Sequence, residues 1–195
     1  YNFEPILTEN HHYDKRHWQF VFESLEELNH FFSQYDTKII ISSSDILNTF
    51  EEIQKQYKIK TIYCHQETGL SCTYARDQEV TGFCSSLSID WKEFTNNGVF
   101  RGLSNRKNWR KKWYQFMSEP IQKWEATKDS FVSIAAIDEM NFKPFEWTKY
   151  KTDQIRQKGG TKQGLAYLNS FISDRHKSYQ NSISKPELSR KSCSR

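Results

Sequence analysis

His65-Gln66-Glu67-Thr68-Gly69 sets an imidazole, a carboxamide and a carboxylate in successive positions shortly before a glycine. Such groups donate, accept and carry charge, so together they suit a polar ligand. Their value depends on what flanks them. Lys60-Thr61-Ile62-Tyr63-Cys64 reads as a strand, and a helical pattern runs from Ser71 to about Leu87. A strand, a Gly-containing turn and a helix opening with small hydroxyl residues make one α/β unit. The three polar side chains then fall at the carboxyl end of a parallel strand, where open α/β sheets build ligand sites. The plainer alternative is that His65 and Glu67 hydrogen-bond the turn while Gly69 supplies a backbone angle other residues avoid.

Two other groupings carry charge. Arg76 and Asp77 sit mid-helix beside a face formed by Val80, Phe83 and Leu87. A charged pair near a core is most simply a structural pair satisfied by polar neighbours. Arg101, Arg106, Lys107, Arg110, Lys111 and Lys112 form a basic run interleaved with Trp109 and Trp113. Basic and aromatic residues together can bind phosphates and stacked bases. The i, i+4 spacing of the Trp residues instead predicts that they pack inward while the cations face solvent.

The elements that position these groups alternate. Tyr1-Asn2-Phe3 reads as the end of a strand, and residues 16–35 carry apolar positions at the i, i+3, i+4 spacing of an amphipathic helix. Lys38-Ile39-Ile40-Ile41 is a β-branched run expected as a strand buried on both faces. Asp45 is placed to cap a helix carrying Ile46, Leu47, Phe50, Ile53 and Tyr57. A strand around Ile89 to Lys92 follows the helix from Ser71, and a short helix from Arg106 to Met117 precedes Pro120. Residues 118–160 show little periodicity, with a short helix near 130–140, and read as a connector lying over the surface. Thr161 to Tyr179 is helical again, with a tail rich in Ser and Lys. This alternation predicts a doubly wound, mainly parallel α/β sheet. Only about three strands can be counted, so the sheet is expected to be truncated.

Composition narrows the class. The 195 residues include 14 Phe, 10 Tyr and 6 Trp, which can fill a core in large pieces. No apolar run approaches the ~20 residues of a membrane helix, and the first residues lack a signal-peptide layout. A cytoplasmic protein is expected. A net charge of +4 leans basic without requiring a nucleic-acid partner. Cys64, Cys72, Cys84 and Cys193 have no Cys-x-x-Cys spacing and no matching His pair, so neither a zinc site nor a disulfide framework is indicated.

The order of motifs resembles the photolyase/cryptochrome flavoproteins. His65-Gln66-Glu67-Thr68-Gly69 followed by Thr73-Tyr74-Ala75-Arg76-Asp77 is similar to that family's signature. Ile89-Asp90-Trp91, Gly98-Val99-Phe100-Arg101 and the Arg/Trp-rich segment from Arg106 to Trp113 follow in matching order. Gly159-Gly160, a helix through Phe171 and Arg175, Tyr179 and Ser192-Cys193-Ser194-Arg195 resemble the entry to the flavin domain.

The resemblance implies a photolyase-type antenna domain over 1–117, truncated at its N-terminus, an interdomain connector over 118–160, and the start of an α-helical FAD-binding domain over 161–195. His65, Gln66 and Glu67 would lie beside a second chromophore; in the family the cleft there holds a folate or a deazaflavin, or stays empty. Cys72 and Thr73 stand where folate-binding bacterial members more often show Asn-Glu. Tyr179, Ser194 and Arg195 would contact FAD, whose phosphates suit hydroxyls and a cation. The implied activity of the longer parent is light-driven splitting of cyclobutane pyrimidine dimers. The dimer would be flipped out of UV-damaged DNA into the helical domain, and the catalytic residues would lie outside this chain. A monomer is expected. A blue-light photoreceptor without repair turnover shares that fold, and a stand-alone nucleotide-binding α/β module is a third reading.

Overall fold

Residues 1–153, 157–182 and 185 are described by a computed structural model, and most elements follow local signals. In chain order they are α1 (Pro5–Thr8), α2 (Lys15–Phe32), α3 (Ile46–Gln56), β1 (Thr61–His65), α4 (Ser71–Ser86), β2 (Asp90–Phe94), α5 (Trp109–Met117), α6 (Ile134–Asp138), α7 (Thr161–Ser173) and α8 (Tyr179–Ser182). The chain divides into two compact units. One comprises residues 1–43, 127–139 and the described residues from Lys143 onward; the other comprises residues 44–126 and 140–142.

The first unit is organised around α2. Asp14 begins it with a capping box: its side chain accepts the Arg16 N–H at 3.0 Å, and His17 Nδ1 accepts the Asp14 N–H at 2.9 Å. Trp18, Phe22 and Leu25 then fall on one face and are buried with Phe3. Residues 143–150, expected within a connector lying over the surface, instead add three more rings to this core, because Phe3 and Phe22 offer them aromatic partners. Phe145 stacks on Phe3 with centroids 3.6 Å apart, Trp147 stacks on Phe22 at 5.0 Å, and Tyr150 packs against Phe145.

Lys38 to Ile41 does not form the expected strand. Pairing is limited to isolated bridges at Ser42, parallel to Asn2 and antiparallel to Pro144. The Ile39 N–H goes to the Asn29 side chain at 2.6 Å, so a helix residue takes the donor that a neighbouring strand would have paired. Tyr1 to Phe3 shares the Ser42 bridge through Phe3 N–H to Ser42 O at 2.8 Å and Ser42 N–H to Tyr1 O at 3.0 Å.

The turn before α7 sits directly on α2. Glu23 accepts the Gly159 N–H at 2.9 Å, Ser24 accepts that of Gly160 at 3.0 Å, and Glu27 accepts those of Thr161 and Lys162 at 2.7 and 3.2 Å. Two carboxylates of one helix thus satisfy the open donors at the start of another, where negative charge is favoured. A Cβ on Gly159 would lie 2.1 Å from the Phe20 carbonyl oxygen, so only glycine allows this approach. The helix expected to run to Tyr179 stops at Ser173. Arg175 turns back to donate to Tyr167 O at 2.6 Å and to Ser170 Oγ at 3.1 Å, and the chain continues as a 3₁₀ turn over Arg175–Ser178.

The second unit holds the sheet, which among the described residues has two strands. β1 and β2 pair in parallel, Thr61 opposite Asp90 through His65 opposite Phe94. Val80, Cys84 and Ile89 are buried, and Ile46, Leu47, Phe50, Phe83, Ile62 and Trp91 pack around them. α3 and α4 therefore bury their apolar stripes together against the strands. Asp45 precedes α3 without a side-chain capping bond; Ser44 and Thr49 pair their hydroxyls there at 3.0 Å instead. No described helix is long and apolar enough to cross a membrane.

Candidate functional site

β1 ends at the exposed His65, and the ladder extends one step beyond through Gln66 N–H to Phe94 O at 2.8 Å. The chain then turns through Glu67 to Leu70 into α4. Glu67 bends back on that turn. Its Oε1 accepts the N–H of Thr68 at 2.8 Å and that of Gly69, and its Oε2 lies 3.7 Å from Arg76. Gly69 does not adopt a left-handed backbone, as the turn reading had supposed. A Cβ there would stand 2.9 Å from Glu67 Oε1, so a larger residue would push that carboxylate off the turn it caps. Thr73, buried in the first turn of α4, donates its hydroxyl to Leu70 O at 2.7 Å.

Arg76 and Asp77 hold each other, with Nη2 and Nε at 2.7 and 3.0 Å from Asp77 Oδ1. Arg76 thereby joins two carboxylates under the turn, the structural role its position predicts.

Arg101 enters from the loop after β2. Its Nη2 meets both Glu93 oxygens at 3.1 and 2.9 Å, its Nη1 donates to Glu67 O at 3.4 Å, and the guanidinium lies 5.5 Å from the Tyr74 ring centre. One cation thus ties the end of β2, the 66–70 turn and the first turn of α4 together. Between them opens a concavity of about 670 Å³, lined by residues 66–71 with Tyr74, Arg101 and Gly102. Gln66 and Glu67 line it; His65 does not. That volume is within the range of small-molecule sites. Arg101, Tyr74 and Glu93 were not singled out as site residues from sequence. The signal available was the Gly98-Val99-Phe100-Arg101 turn, whose Arg was grouped with the basic run.

Cys64 lies beneath the same turn. Burial pushes its thiol up to about 11, with the Glu93 and Asp77 carboxylates adding to the effect. It is therefore held in the thiol form at neutral pH, the less nucleophilic state. Among the described residues no group of three or more His, Cys, Asp or Glu could hold a metal ion.

The loop carrying Arg101 is held by α5. Gly98 has φ +67°, and a Cβ on it would lie 2.6 Å from Trp113 Cδ1. Phe116 meets Phe100 edge-on at 6.3 Å. Trp113 and Phe116 thus pack inward as expected, whereas Trp109 remains 40% exposed. The helix begins at Trp109 rather than Arg106 because Asn108 adopts a left-handed backbone with φ 61°. Tyr179 starts α8 in the other unit, with its ring edge-on to Phe171 at 5.8 Å. Ser194 and Arg195 lie outside the described residues.

A family model described as DNA photolyase matches residues 1–140. The chain belongs to the DNA photolyase family. Two solved structures show the same fold as this photolyase-family chain. A cryptochrome from Synechocystis sp. PCC6803 superposes with a TM-score of 0.67 at 17% identity, over 93% of this chain and 42% of that one. An archaeal photolyase from Sulfolobus tokodaii, solved with two FAD molecules, superposes at 0.58 with 15% identity, over 97% of this chain and 49% of that one. The photolyase-family chain therefore spans less than half the length of either. No curated protein matches it. The mixed helix and strand content with a short parallel sheet is that of the photolyase N-terminal α/β domain.

Proposed function

We propose that this chain is the antenna-binding portion of a light-driven DNA-repair flavoprotein, a cyclobutane-dimer lyase. The antenna domain spans 1–117, a connector 118–160, and the beginning of the FAD-binding helical domain 161–195. The observation that carries the reading is the concavity at the carboxyl end of β1, organised by Arg101 in a chain of this family.

The lining residues fit a planar second chromophore. Tyr74 offers a half-exposed ring, and Gln66 and Ser71 are polar residues among the lining. Arg101 and Arg76 are already engaged by Glu93, Asp77 and Glu67. The site therefore suits the ring system of a folate or deazaflavin better than an anionic tail. Gln66 would orient the ring's polar edge and Glu67 would hold the turn against it, with His65 at the end of β1 next to the lining rather than part of it.

When bound, reduced FAD supplies the photoexcited electron that splits the pyrimidine dimer. Tyr179, Ser194 and Arg195 are the residues of this chain assigned to its grip. Damaged DNA would bind through the helical domain, in a cytoplasmic, monomeric protein.

The second reading is a blue-light photoreceptor without repair turnover. It is supported by the fold likeness to the Synechocystis cryptochrome. Illumination of dimer-containing DNA with the purified longer protein separates them. Repair is expected; flavin absorbance with unchanged DNA would leave the photoreceptor, and absence of flavin would remove both.

A further inference from the structure

From Phe94 to Ser118 the sequence contains six cations and no Asp or Glu. Arg101 turns inward to Glu93, which leaves Arg106, Lys107, Arg110, Lys111 and Lys112. All five are exposed, and none forms an ion pair with a described residue. An ordinary solvated surface intersperses both signs. Here one sign is concentrated at one helix and its approach.

The same surface carries a ring, Tyr114, which is 50% exposed; Trp109 stacks on Trp113 at 6.4 Å on the other side of the helix. Arg110 sits over Tyr114, 5.5 Å from its ring centre, with Nη2 3.4 Å from the hydroxyl. Arg110, Lys111 and Tyr114 share the side of α5 opposite Trp113 and Phe116. Trp113 and Phe116 already close on Gly98 and Phe100, so the inner face of the helix is spent on its own domain.

We infer that this outer face of α5 is a binding surface for single-stranded nucleic acid, with the cations on successive phosphates and Tyr114 against an unpaired base. Clustered cations without acidic partners match a polyanion, and the exposed Tyr114 ring beside them matches a base freed from a duplex. An anionic membrane fits less well. Interfacial helices bury a broad apolar face, and here Trp113 and Phe116 are turned to Gly98 and Phe100, which leaves only Trp109 and Met117 of that side exposed. The surface is independent of the chromophore cleft and requires neither flavin nor light, so its failure would leave the repair reading untouched.

The test uses the 195-residue chain and a fluorescein-labelled oligothymidylate of about 16 nucleotides, followed by fluorescence anisotropy across a salt series. Weak, salt-sensitive binding is expected. The combined variant Lys107→Glu, Arg110→Glu, Lys111→Glu should weaken it by about tenfold or more. Lys111→Gln alone should reduce the salt slope by about 0.7. Tyr114→Ala should lower affinity several-fold while leaving that slope unchanged. Circular dichroism checks folding, and if the triple variant unfolds, the exposed Lys111→Gln decides the matter. Absence of oligonucleotide binding overturns the inference. So does affinity unchanged in the folded triple variant or a slope unchanged in Lys111→Gln. Capture by phosphatidylserine vesicles without oligonucleotide binding also overturns it, in favour of a membrane surface.

Discussion

Arg101 meets both carboxylate oxygens of Glu93 through one nitrogen, at 3.1 and 2.9 Å, and so fixes the loop after β2 to the end of that strand. The pair is only partly buried, with side chains 32% and 23% exposed, so solvent screens much of the attraction. Arg101→Ala is expected to cost about 1 kcal/mol in urea unfolding. It should also lower second-chromophore occupancy in the longer protein, because the 66–70 turn loses its brace. Unaltered occupancy with an unaltered melting curve would reduce Arg101 to a surface residue.

Gly98 combines a left-handed backbone with a neighbour that leaves no room for a methyl group. Gly98→Ala should destabilise the second unit by about 1–3 kcal/mol. Shrinking the neighbour in the background of that variant, Trp113→Leu, should relieve the clash but not the backbone term. A double-mutant cycle measures the coupling, and additive effects would show that the ring is not the obstacle.

The turn before α7 offers a test by hydrogen exchange. Glu27 accepts two N–H groups from Thr161 and Lys162. Replacing it by Ala should speed exchange at those two amides and cost about 1 kcal/mol, the usual loss for a removed helix cap. Gly159→Ala should do more harm, about 1–3 kcal/mol, since its added carbon meets the Phe20 backbone rather than a side chain that can move.

Alkylation reports on Cys64. Burial first, then the Glu93 and Asp77 carboxylates, disfavour its thiolate, raising the thiol to about 11. Iodoacetamide reacts with the thiolate, so modification of Cys64 in the folded chain should be slow at pH 8 and accelerate only as pH approaches that value. Peptide mass spectrometry reads the rate. Rapid labelling at pH 8, with folding intact, would contradict the packing described for the strand end.

Much of this was legible because the signals are local. The apolar run before His65 and the hydroxyl residues from Ser71 mark β1 and α4 directly. The His65–Gly69 and Thr73–Asp77 segments also carry the family resemblance that the match over residues 1–140 supports. What escaped notice depends on partners distant in sequence. Lys38 to Ile41 has strand composition, yet Asn29 on α2 takes the Ile39 N–H. Phe145, Trp147 and Tyr150 complete a core without any periodicity to announce it. Arg101 looked like one cation in a basic run because nothing in the linear order ties it to Glu93 and Tyr74. Gly69 illustrates a subtler gap, in which the residue type was informative but the physical reason was crowding by Glu67 rather than backbone angle.

The stacking of Phe145 on Phe3 has a bearing on how the chain is made. At ribosomal speeds of about 5–20 residues per second, Phe3 leaves the exit tunnel well before its partner has been synthesised. During that interval Phe3, Trp18 and Phe22 lack the rings that later cover them. The nascent polypeptide therefore offers chaperones a defined aromatic target until Phe145 emerges, and a transcript cut short before the codon for Phe145 would leave that target permanently open.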